Sequence, residues 1–250
     1  DARIRPDSYS VFVDSRMLLR RIVGLDLPYS EDVVYIFDKQ LEEAGLLVMN
    51  KVDLLSVPDQ EKLAKWAVSR EHSSPWRFQN SLSAESVAAW VDILQEGEAT
   101  LPEESLDIDY ERYGRGEAHM AWLNETLSLI VPEGEGKQIV AAIIETMLEK
   151  LDQEQAAIGH LKFVISGGDV STKISFTGIE DTGWEGQIPA QPGTDIQMLV
   201  NMRAETEAGR LHQLLQGALA ACQDRFDFQF LESNVEFFHP AEPKPTHRIK

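Results

Sequence analysis

Cysteine is nearly missing from this sequence. Cys222 is the one cysteine in 250 residues, which excludes an internal disulfide framework and any zinc site built from several thiolates of this chain. Basic residues are also scarce. Lys and Arg number 23 against 42 Asp and Glu, a formal net charge of −19, and so acidic a surface repels phosphate backbones and anionic headgroups. Neither a nucleic-acid nor a membrane partner is expected. No apolar run approaches the length of a membrane-spanning helix, and DARIRPDSYS at residues 1–10 lacks the apolar stretch of a signal peptide. The expectation is a cytoplasmic protein, which suits the reducing surroundings that a lone thiol tolerates. What is present is a 43% hydrophobic content, enough for one large domain or two small ones.

Up to about residue 100, short apolar strands alternate with amphipathic helices. YSVFVD (9–14), LLVMN (46–50) and WRFQNS (76–81) read as strands. Helices are expected over about 31–43, 58–69 and 84–94, where Val33, Phe37, Leu41 and Ala44 make one stripe and Val87, Trp90, Val91 and Leu94 another behind Ser83 as N-cap. This β-α-β-α-β-α order predicts α/β architecture, a parallel sheet covered by helices, over residues 1–100. The acidic stretch QEGEATLPEESLD (95–107) reads as a linker.

A different order follows over 105–250. A strand is expected over 117–131, with Ala121, Leu123, Leu127 and Leu129 on one face, then a helix bearing Ile139, Ile143, Met147, Leu148 and Leu151. Strands at about 160–166, 172–178 and 196–203 come next, then a helical stripe of Leu211, Leu214, Leu215, Ala218, Leu219 and Cys222, and finally FDFQFL and VEFF. The order β-α-β-β-β-α-β predicts an α+β sandwich close to the split β-α-β arrangement. No internal repeat is visible.

The string Asn50-Lys51-Val52-Asp53 closes the second strand. Ligands of open parallel sheets sit at the carboxyl ends of strands, so polar residues at this end are well placed for one. A carboxylate at Asp53 accepts two hydrogen bonds side by side, matching the ring N–H and exocyclic amine of guanine, whereas adenine presents an acceptor where guanine has a donor. The Lys51 stem can lie along a flat base, and Asn50 can tie neighbouring loops to the base or to each other. The bland reading is a polar strand-to-helix turn. Its place after a buried strand in an alternating pattern favours guanine.

The stretches SVFVDSRMLL, DKQLEEAGLLVMNKVDLL and DIDYERYGRGEAHMAWLN, with the closing FFHPAEPKPTHR, together resemble the CobW-type P-loop GTPases, relatives of the nickel-enzyme maturation GTPases. The likeness spans nearly the whole chain. It implies that residues 1–100 are the latter part of a GTP-binding domain and 105–250 a CobW-like C-terminal domain. It also implies guanine contacts from Asn50, Lys51 and Asp53, with Ser81 at the last base contact, which this class makes through backbone amides. GTP and Mg²⁺ would be the cofactors of the complete protein. Zn or Co is the candidate cargo, delivered to a metalloprotein client, and a homo-oligomer is compatible with all of this.

The chain departs from that family in two motifs. The phosphate-binding string G-x-x-x-x-G-K-[ST] occurs nowhere in it, nor does the family's cysteine-containing metal motif. Gly167-Gly168 sits between two expected strands and reads as a hairpin turn. A preceding portion on the order of 100 residues is therefore expected, and this chain alone is not expected to hydrolyse GTP. The alternatives are a degenerate homologue or a non-catalytic interaction module.

Other residues attract weaker readings. Asp14 ends a strand and either approaches a nucleotide or caps the next turn. Ser83 either caps a helix or joins Ser81 at the base. Glu117 and His119, two apart on an expected strand, share a face that could hold a metal, but no third ligand is evident. His239 and His247 flank a Pro-rich tail with a weak claim to metal or partner binding, and Cys222 reads as core.

Overall fold

Gly45 and the turn beyond Asn50 bracket a run of four apolar residues, and the chain treats that run as the centre of a sheet. The structure, a computed structural model, describes residues 8–70, 74–97, 101, 106–179 and 181–240. Its chain divides into two compact units that meet in sequence between Tyr113 and Gly114.

In the first unit the elements are β1 (Ser10–Asp14), α1 (Ser15–Ile22), α2 (Glu31–Glu43), β2 (Leu46–Asn50), α3 (Val57–Ser69), β3 (Trp76–Gln79) and α4 (Ala84–Glu96). The three strands are parallel in the order β1-β2-β3. Leu46, Leu47, Val48 and Met49 of β2 are all buried, as expected of a parallel strand with both faces covered. Leu47 and Met49 meet Leu18, Leu41, Leu63 and Ala67 on one face, while Leu46 and Val48 meet Trp90, Ile93 and Leu94 on the other. Sequence patterning found this buried strand but not α1. That helix begins with no loop after β1, because the Asp14 carboxylate caps it by accepting the Arg16 N–H at 2.9 Å.

Helix α5 (Tyr110–His119) carries the chain from the first unit to the second. There follow β4 (Met120–Ile130), α6 (Gly136–Gln153), β5 (Ile158–Gly167), β6 (Val170–Phe176), β7 (Asp195–Glu205), α7 (Ala208–Gln223) and β8 (Gln229–Phe238). The sheet order is β6-β5-β7-β4-β8, antiparallel throughout. This is the split β-α-β arrangement with β6 added as an edge strand. Inward residues of the strands, among them Leu123, Leu127, Phe163, Val200 and Met202, pack with Ile139, Ile143 and Met147 of α6 and Leu211, Leu215 and Leu219 of α7 in one continuous core.

One expectation changes here. Residues 117–119 are not strand but the end of α5, so Glu117 and His119 do not share a strand face. FDFQFL and VEFF close the fold as the single strand β8, interrupted by a bulge in which Asn234 takes φ 52° and Asn234 and Val235 together oppose Glu125. A hairpin joins β5 and β6 at this glycine pair, as the sequence suggested, with Gly167 closing β5 and Gly168-Asp169 making the turn. Gly168 has φ 57°, and a Cβ on Gly167 would come within 1.8 Å of the Pro192 carbonyl oxygen, so glycine is required there on steric grounds. Among the described residues no helix is long and apolar enough to cross a membrane.

Candidate functional site

The carboxyl ends of the first unit's strands gather the residues singled out in the sequence. Asn50 ends β2 and is held from two sides. Ser15 at the start of α1 donates its hydroxyl to the Asn50 carbonyl at 2.6 Å. The Asn50 side-chain oxygen accepts both the Ser81 N–H at 3.2 Å and the Ser81 hydroxyl at 2.8 Å. Asn50 thus ties the end of β2 to the turn after β3. The same bonds use up the Ser81 amide, so Ser81 supports Asn50 from behind.

Lys51 adopts φ 61°, the left-handed region that non-glycine residues seldom occupy. Its ammonium lies 2.9 Å from the Asp14 carboxylate, which also pairs with Arg16 at 3.1 Å. Burial alone would raise the Asp14 pKa, but the Arg16 hydrogen bonds and the Lys51 charge outweigh it and hold the carboxyl down at about 2. Asp53 follows in a short 3-10 turn, Val52–Leu54. Gln60 of α3 clasps that turn by donating its side-chain amide to the Val52 and Leu55 carbonyls at 3.3 and 3.2 Å. The Asp53 carboxylate is exposed and, among the described residues, has no hydrogen bond or ion pair. Leu82, in the turn beside Ser81, is 89% exposed.

The remaining sequence candidates separate cleanly. Ser83 caps α4, accepting the Ser86 N–H. Glu117 receives Arg203 at 3.1 Å and His119 lies 3.4 Å from Glu205, so both are engaged by β7. Cys222 is buried in the core beside the Thr146 hydroxyl, and burial pushes its thiol pKa up. His239 accepts the Ala208 N–H at 3.0 Å at the start of α7. His247 lies outside the described residues.

A second constellation escaped the sequence reading. Glu125 lies on the inward face of β4 between Leu123 and Leu127, with Val200 of β7 opposite it, and is fully buried. His212 of α7 places Nδ1 3.1 Å from its Oε2. Glu232 of β8 completes a cluster whose potential ligand atoms all lie within 4.8 Å of one another. Burial, then the neighbouring Glu232, push the Glu125 carboxyl up to about 9. The visible signal was the break in an otherwise apolar alternation, Ala121, Leu123, Glu125, Leu127, Leu129.

No family model matches the chain, and no curated protein matches it. Among solved structures, a hydantoinase/carbamoylase family amidase from Burkholderia ambifaria is similar at a TM-score of 0.31 and 11% identity, over 65% of this chain and 42% of that one. The chain thus spans less than half of that protein, and a likeness this faint carries no argument.

Proposed function

We propose that the first unit recognises a guanine base and that the chain is part of a CobW-like GTPase coupling GTP binding and hydrolysis to delivery of a metal or cofactor. The observation that carries the reading is the Asn50–Ser81 bridge beside an unpaired Asp53 carboxylate at the ends of parallel strands. A carboxylate without an internal partner, on a turn that Gln60 holds in place, is available to accept the paired N–H groups of guanine. The left-handed backbone at Lys51 adds to this, because such strain persists where the surroundings impose it and clusters at ligand sites. Exposed Leu82 offers an apolar edge in the turn after β3 that carries Ser81.

The residues at hand fit the base and not the phosphates. The G-x-x-x-x-G-K-[ST] string that holds Mg²⁺ and the triphosphate in P-loop GTPases is missing from this sequence, and no hydrolytic step is assigned to it. Titrating isotope-labelled chain with GMP while following backbone amide shifts tests the reading. Shifts are expected at Lys51–Leu55 and Ser81–Ser83 with GMP and not with AMP. Equal responses to the two nucleotides, or none to either, would sink the proposal.

A further inference from the structure

We propose that Glu125, His212 and Glu232 form a binding site for one first-row divalent cation inside the second unit. The site stands on its own observations and does not rest on guanine recognition by the first unit.

Three elements converge on it. Strand β4 contributes Glu125, α7 contributes His212 and β8 contributes Glu232, and their ligand atoms lie within 4.8 Å of one another. Glu125 is wholly shielded from solvent, and its Oε1 has no hydrogen-bond partner; the Oε1 of Glu232 is likewise buried and unpartnered. A buried carboxylate oxygen without a partner is costly, and two carboxylates in one cluster repel each other unless a proton or a cation lies between them. A bound cation would satisfy both.

Local geometry favours a ligand over an accident of packing. The bulge in β8 falls opposite Glu125, and such bulges re-aim side chains near functional sites. The His212 ring is fixed by stacking on Phe237, with ring centroids 5.3 Å apart and planes 17° from parallel, so Nδ1 stays on the Glu125 side. Two carboxylates and one imidazole are the donor set of Zn²⁺, Co²⁺, Fe²⁺ or Mn²⁺; Ca²⁺ and Mg²⁺ prefer oxygen alone and Cu⁺ prefers sulfur. Three protein ligands leave further coordination positions for water or another molecule.

The groups facing Glu125 are Glu232 from β8 and His212 from α7, while β7 presents apolar Val200.

The test uses the full chain, purified without a histidine tag and stripped of metal. Titration with Co²⁺ at pH 8 is expected to produce a visible absorption band saturating at one equivalent and bleached by Zn²⁺. Glu125→Gln and His212→Ala are each expected to weaken Co²⁺ binding by more than about tenfold, since even groups one layer removed from a metal cost that much. Glu133→Gln, the same change at an exposed position, should leave the titration unaltered. Should Glu125→Gln fail to fold by circular dichroism, Glu232→Gln on the edge strand replaces it. No band with the wild-type chain overturns the proposal, and so does a band that survives the folded cluster variants.

Discussion

The two units place their polar side chains in opposite ways. In the first, β2 is buried on both faces, its inner residues are uniformly apolar, and the candidate residues Asn50, Lys51, Asp53 and Ser81 lie at the strand end and the turns beyond the strands. In the second, the antiparallel sheet alternates, and one inward position, Glu125, carries a carboxylate in the middle of the apolar row. A parallel sheet of this kind thus exports chemistry to its rim, where loops supply it. An alternating sheet can hold chemistry within its core, at a cost that some partner must offset.

The largest expected effect concerns that cost. Glu125 has a pKa of about 9 in the folded chain against 4.5 for the ordinary side chain. The folded state therefore keeps a proton that the unfolded state releases. The associated stability is fully present below about pH 4.5 and is lost as pH rises toward 9, at up to about 1.4 kcal/mol per pH unit for one proton. Glu125→Gln, neutral at every pH, should remove that slope. Urea unfolding of metal-free chain followed by circular dichroism at a series of pH values checks this, and parallel slopes for the two proteins would contradict it.

Next comes the core that surrounds Glu125. Phe163 is fully buried among Phe176 and the inward faces of the strands, so Phe163→Ala should cost about 3–5 kcal/mol in the unfolding of the second unit, by lost burial and the cavity left behind. A loss below about 1 kcal/mol, read from urea midpoints, would show that this core is not the tightly packed one described.

The smallest effect lies at the rim of the first unit. Asp53→Asn exchanges an acceptor for a donor, and xanthine carries a carbonyl where guanine carries its amine. GMP should lose on the order of 1 to 3 kcal/mol of binding, roughly tenfold or more, while XMP gains. Unchanged preference in a competition titration would remove Asp53 from the base site and leave the contrast between the units without its functional half.

Much of this architecture could be read from the residues. LLVMN announced a doubly covered strand, and the stripes on α6 and α7 announced two helices on one face of a sheet, because both signals are short-range periodicities. Two helices escaped for local reasons. SRMLLRRI follows β1 without a glycine or proline to mark a break, and YERYGRGEAH contains two glycines, which weaken any helical signal, so its end was absorbed into the following strand. The guanine-type string was legible because its members are adjacent. The Glu125–His212–Glu232 cluster was not, because its members come from three distant segments that only the sheet order brings together.

The bulge in β8 bears on how sequences of this kind are compared. Before it, Phe230 and Glu232 face the helices opposite Leu129 and Leu127; after it, Phe237 faces them opposite Leu123 while Phe238 stacks on Trp122 across the other face. The inward positions have changed from even to odd numbers, and one extra residue accounts for the change. Deleting Asn234 would restore strict alternation and leave each remaining side chain on the face it now occupies. A descendant lacking that residue would therefore show a gap in an alignment while keeping Glu232 and Phe237 in place, and a one-residue difference at this point separates spellings of a strand and not different folds.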